Sequence, residues 1–284
     1  MKLLPLLGIG AAAAGATYYL TRTSKPASGP FTPQGKRGVI DEPKKFIISM
    51  MGLRSAPPGF EDWKIIEWPG EGPGHPSWFQ KAARLRRNGR LLPVLMEQFQ
   101  IPADAEIGAV GFSAGSNSGM REILRDSADR KRLSFAVAAD GFHAAIKDPR
   151  ARTDDPRTWF FAFNEQVAPF ANAALEAAKG GTPFVQTAST VAAPNKTMAT
   201  SELGVIAIDS LIRGAGESEF RPLPAPLEAV SDDIELGGRY SGEKGQYVNI
   251  VVKGNSAADH IFQANAVIPA AMKWIKTRLE NRSA

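Results

Sequence analysis

The chain has 284 residues, 43% apolar and 22% charged, which is enough hydrophobic material for a sizeable core and excludes wholesale disorder. Its 34 basic and 29 acidic residues leave a formal charge of +5, too small a surplus over a domain of this size to point to nucleic acid. There is no cysteine, so disulfides, thiolate catalysis and cysteine-ligated metals are excluded. With three histidines in all (His75, His143 and His260), a multi-histidine metal centre is disfavoured, and neither metal nor cofactor is expected.

Residues 3–20, LLPLLGIGAAAAGATYYL, carry no charge and lie between Lys2 and Arg22. As a helix they would span about 27 Å. Two readings stand: a signal peptide with small residues at Ala14 and Ala16 before a cut, or a retained membrane anchor with Tyr18 and Tyr19 at the interface. Either one makes the protein membrane-anchored or exported. Gly8-Ile9-Gly10-Ala11-Ala12-Ala13 fits a dinucleotide-binding string, but no strand precedes it, so the match is rejected. A Pro-, Gly-, Ser- and Lys-rich stretch follows. The expected organisation is 1–22 as signal or anchor, 23–44 as flexible linker and 45–284 as one domain.

From Phe46 the chain alternates between apolar runs and helical spacing. Strands are predicted at Phe46–Met51, Trp63–Trp68, Glu106–Phe112, Leu133–Ala139, Thr182–Thr187 and Tyr247–Lys253. Helical spacing runs over Ser77–Phe99, broken near Gly89 and Pro93, and over Ala114–Asp126. It returns in an Ala-rich helix ending at Gly180-Gly181, at Ser201–Arg213, and at Ile261–Leu279 with a kink expected at Pro269. The basic residues Lys81, Arg84, Arg86, Arg87 and Arg90 read as a solvated helix face. Uncharged strands alternating with helices specify an α/β fold: a doubly wound, mostly parallel sheet with helices on both faces.

Gly111-Phe112-Ser113-Ala114-Gly115 is a G-x-S-x-G string at the junction of a buried strand and a helix, where a nucleophile elbow belongs. The small flanking residues permit a sharp turn. The helix start offers the Ala114 N–H and a positive dipole end to an oxyanion. A phosphate-binding reading lacks the P-loop lysine. A serine nucleophile needs a base. His260 follows the last strand, and the C-terminal ends of parallel strands share one sheet edge, so Ser113 and His260 can converge there. Asp140, ending the strand LSFAVAA, is the favoured acid to orient the imidazole. Glu202 is the second choice, and Asp259 adjoins His260 too closely to serve.

This Ser–acid–His order resembles the α/β-hydrolase family over about residues 45–284. The resemblance implies an eight-stranded-type sheet and a serine esterase or related acyl hydrolase with no cofactor. It also implies an oxyanion loop at Met51-Gly52-Leu53-Arg54, where Met51, Gly52 or Leu53 would supply a second N–H. The family's acid more often follows the next strand, and the His-Gly-Gly of many lipases is missing here. Phe112 is expected to line the substrate pocket, His143 reads either as pocket lining, which is favoured, or as a surface loop residue, and His75 is expected to be structural. Trp159, Phe160, Phe161 and Phe163 read either as an acyl-binding wall or as core. The sequon Asn195-Lys196-Thr197 reads as coincidence. The expected partners are a small-molecule ester or acyl substrate and, through the first segment, a membrane. A rival reading is a catalytically silent hydrolase-like module that binds at a membrane or larger assembly.

Overall fold

The computed structural model describes residues 44–50, 56–70, 76–142, 165–189, 200–216, 220–228, 242–252 and 261–283, with the single positions 144, 147, 150, 161 and 230. Contacts divide the chain into Met1–Glu42 and Pro43–Ala284, and all described residues belong to the second unit. The hydrophobic segment at 3–20 and the linker at 23–44 lie outside the described residues, apart from Lys44. Among the described residues no helix is long and apolar enough to cross a membrane.

Seven strands form one sheet: β1 (Lys45–Met50), β2 (Lys64–Glu67), β3 (Glu106–Phe112), β4 (Phe135–Ala139), β5 (Phe184–Ser189), β6 (Gly242–Lys244) and β7 (Tyr247–Val252). Their order is β2-β1-β3-β4-β5-β7-β6. Every neighbouring pair is parallel except β6 with β7. The fold is therefore α/β with a mixed, mostly parallel sheet, seven-stranded among the described residues. β6 escapes the sequence reading because its three residues, Gly-Glu-Lys, form no apolar run. It exists through a two-residue hairpin turn at Gly245 (φ +58°), which pairs Lys244 with Tyr247.

Burial on both faces explains why the central strands are mostly apolar, although the polar Ser49, Gln186, Thr187, Ser189 and Asn249 are buried in them as well. Along β1, Phe46, Ile48 and Met50 face one core, and Ile47 faces the other. The first core is closed by α1 (Pro76–Leu85), α2 (Leu92–Gln98), α3 (Arg121–Leu124), α5 (Ala168–Ala178) and α6 (Thr200–Gly214). The second lies under α7 (Ala225–Glu228) and the closing helix α8 (Ile268–Ser283). There Phe60, Trp63 and Phe135 form a ring triad with centroids 5.4–5.5 Å apart. Gly108 makes room for it, since a Cβ there would stand 2.1 Å from the Phe135 ring.

Several helical expectations change. The predicted helix at Ala114–Asp126 is a π-helical turn, Gly115–Met120, leading into the short α3. It stops where the Asp126 side chain caps α4 (Ser127–Arg132), accepting from Ala128 N and Asp129 N. GSNSGM is poor in helix formers, which lets packing set the wider turn. The break between α1 and α2 is an Asn88-Gly89 turn with both residues at positive φ (51° and 77°). Pro93 is no breaker; it sits in the first turn of α2, where no N–H is needed. Pro269 likewise lies in the first turn of α8, just after a second π-helical turn, Gln263–Val267.

The basic stretch is only partly a solvated face. Arg87 pairs in the open with Glu97, but Arg86 is 14% exposed and pairs with the buried Glu122. Burial, and Arg125 nearby, pull its guanidinium below the ordinary value. Arg90 bonds Asp129 at 2.8 Å, while the second oxygen of Asp129 accepts from Leu91 N and Leu92 N, both at 3.0 Å. This patch pins the α1–α2 connection onto α4.

Candidate active site

At the C-terminal edge of the sheet, Phe112 of β3, Ala139 of β4, Thr187 of β5 and Ile250 of β7 lie in one register row. Adjacent strands are spaced about 4.8 Å apart. Ser113 and Asp140 are each the next residue beyond this row, so they are neighbours at the edge. Ser113 still belongs to the ladder, because its N–H donates to Ala139 O at 2.8 Å. It then turns the chain at φ +53°, a left-handed conformation that β-strand residues other than glycine avoid.

The glycines of the motif are required by close approach rather than by their own dihedrals. A Cβ on Gly111 would stand 2.8 Å from the Cα of Ser116, and one on Gly115 would stand 1.5 Å from the Met50 carbonyl oxygen. A Cβ on Gly141, just past Asp140, would meet Ser113 O at 2.2 Å and Ser116 Cβ at 2.4 Å. The turn carrying Ser113 is thus packed from below by the end of β1 and from the side by the end of β4. Ser113 itself is half-buried, and Ala114 opens the helical segment.

Asp140 is also left-handed, at φ +43°, and is 5% exposed. Its N–H bonds Thr187 O at 3.0 Å, with Thr187 Oγ1 at 3.2 Å. Its carboxylate accepts twice from Ser189, at the end of β5: Ser189 N to Oδ1 at 2.9 Å and Ser189 Oγ to Oδ2 at 2.7 Å. Thr187 Oγ1 in turn donates to Gln263 Oε1 at 2.6 Å, tying β5 to the start of the closing helical segment. Sequence reasoning missed Ser189 and Gln263. Neither lies near Asp140 in the chain, and no local motif marks them.

Of the remaining residues expected at the site, Phe112 ends β3 half-buried, packed against the α8-side core. Glu202 falls in the first turn of α6. His260, His143, Gly52 and Leu53 lie outside the described residues, as does His75. Phe161 is buried in the first core; Trp159, Phe160 and Phe163 lie outside the described residues, with the sequon.

No family model and no curated protein matches the chain. Among solved structures it is similar to TT1662 from Thermus thermophilus, at 14% identity over 83% of this chain and 90% of that one, with a TM-score of 0.40. That degree of likeness carries no statement about the site.

Proposed function

We propose that the chain is a serine hydrolase acting on carboxylic esters through Ser113, His260 and Asp140. The observation that carries the reading is the turn at Ser113. A non-glycine residue is held left-handed at a strand end, between two glycines that have no space for a side chain. A left-handed non-glycine residue costs about 1–3 kcal/mol, and such strain collects where a side chain must be presented. The Ser–acid–His order of the sequence, and a buried carboxylate one strand away, support it further.

In the proposed cycle, His260 removes the Ser113 proton as Oγ attacks the ester carbonyl. The Ala114 N–H and a second N–H from Gly52 or Leu53 stabilise the tetrahedral oxyanion. His260 passes its proton to the departing alcohol as the C–O bond breaks, leaving an acyl-enzyme. It then takes a proton from water, whose oxygen attacks the acyl carbon, and returns that proton to Ser113 Oγ as the acid leaves. Asp140 orients the imidazole and stabilises its charged form. Phe112 and His143 are assigned to the substrate pocket. The N-terminal segment is assigned to a membrane anchor or export signal.

The test is labelling of the full chain with a fluorophosphonate probe beside Ser113→Ala. Labelling of the wild type that vanishes in the variant is the expected result. A folded wild type that takes no label overturns the reading and favours a silent binding module.

A further inference from the structure

We infer that Ser189 is a positioning residue for the acid of this site, clamping the Asp140 carboxylate in one plane so that its remaining lone pairs point in one direction. This rests on the serine-hydrolase reading above. A carboxylate attached to one flexible bond rotates freely unless both oxygens are engaged. Ser189 engages both: the main-chain N–H takes Oδ1 at 2.9 Å and the hydroxyl takes Oδ2 at 2.7 Å. The shorter contact is in the range of a charge-assisted O–H···O⁻ bond.

Both partners are inside the protein, Asp140 at 5% and Ser189 at 3% exposure, so water does not compete for either oxygen. The backbone is held just as firmly. Asp140 is left-handed, and its N–H is fixed to Thr187, two residues before Ser189 on the same strand. Asp140 is therefore held from the β5 side by two residues at the end of that strand, Thr187 on its backbone and Ser189 on its carboxylate. Thr187 is also bonded to Gln263, three residues beyond His260 in the chain. The end of β5 thus acts as a strut between the acid and the segment that follows the proposed base. An acid set loosely in this place would present either oxygen at a range of angles, and general-base catalysis depends on that angle.

Ser189 touches neither substrate nor Ser113 in this assignment, so its loss is read in kcat rather than in KM. With p-nitrophenyl acetate and the full chain, kcat per active site, counted by burst titration, is expected to fall about 10- to 100-fold in Ser189→Ala. KM is expected to stay within about twofold. Thr and Val have the same shape and differ by one hydroxyl, so Ser189→Thr is expected to recover most of the rate and Ser189→Val none. That pair also decides the matter where Ser189→Ala does not fold. In an Asp140→Ala background, Ser189→Ala is expected to cost nothing further, because the two act as one unit.

Wild-type kcat per titrated site in Ser189→Ala or Ser189→Val overturns the inference, as does a full additional loss in the Asp140→Ala background. Failure of the hydrolase reading looks different, since the wild type would then show no turnover and no probe label, or Ser113→Ala would keep both, whatever stands at position 189.

Discussion

Gly115 lies against the last residue of β1 so closely that a Cβ on it would stand 1.5 Å from the Met50 carbonyl oxygen and 2.7 Å from its carbonyl carbon. Those atoms are backbone of a central strand, so they cannot move aside as a flexible side chain would. The contact makes the second glycine of the motif a packing requirement between β1 and the serine turn.

Gly115→Ala is therefore expected to destabilise the fold by about 3 kcal/mol, at the upper end for overpacking a dense interior. Urea unfolding reads this directly. A change below about 0.5 kcal/mol, the usual size for a surface substitution, would contradict the contact.

Ser113 bears a backbone conformation that glycine adopts without strain. Ser113→Gly and Ser113→Ala both remove the hydroxyl, but only glycine relieves the turn. Their comparison should show the glycine variant more stable by about 1 kcal/mol, even though glycine usually costs stability. Both are expected to lose probe labelling. A glycine variant less stable than the alanine variant would mean that the turn is not strained.

Tyr247, fully buried between the sheet and α6, has its phenol pushed well above the ordinary value of 10, first by burial and then by the Asp209 charge. In the unfolded chain the phenol ionises near pH 10, whereas the folded chain keeps the proton. The folded state then binds more protons, so stability falls as pH rises. This contribution is fully present below pH 10 and is lost above it, at about 1.4 kcal/mol per pH unit until the folded phenol itself ionises. Tyr247→Phe gives up a 3.3 Å bond to Gln186 Oε1, about 1 kcal/mol at neutral pH. Above pH 10 its stability should fall less steeply than that of the wild type. Parallel curves across that range would contradict the assignment.

Much of the fold was legible because its signals are local. Glu106–Phe112 reads as a strand from composition alone and is a strand between those same residues. The Asn88-Gly89 turn follows from one residue that tolerates positive φ and another that has no Cβ. The serine string was legible for the same reason, since its glycines are written next to it. By contrast β6 has too few residues to make a pattern. The π-helical turn after Ser113 reflects contacts with Met50 and Gly141 rather than any preference of GSNSGM. Reading Arg86 as solvated failed because its partner, Glu122, comes from another helix.

The sequence by itself determined the alternation of buried strands and helices, the class of sheet they build and the position of Ser113 at a strand end. Hydrophobic period and turn chemistry act over a few residues, so one chain segment carries them complete. Only the tertiary structure decided the strand order, the antiparallel edge and the pairing of Asp140 with a serine 49 residues away. Those depend on which strand ends become neighbours at one sheet edge, a matter of register and packing among distant segments that no local pattern encodes.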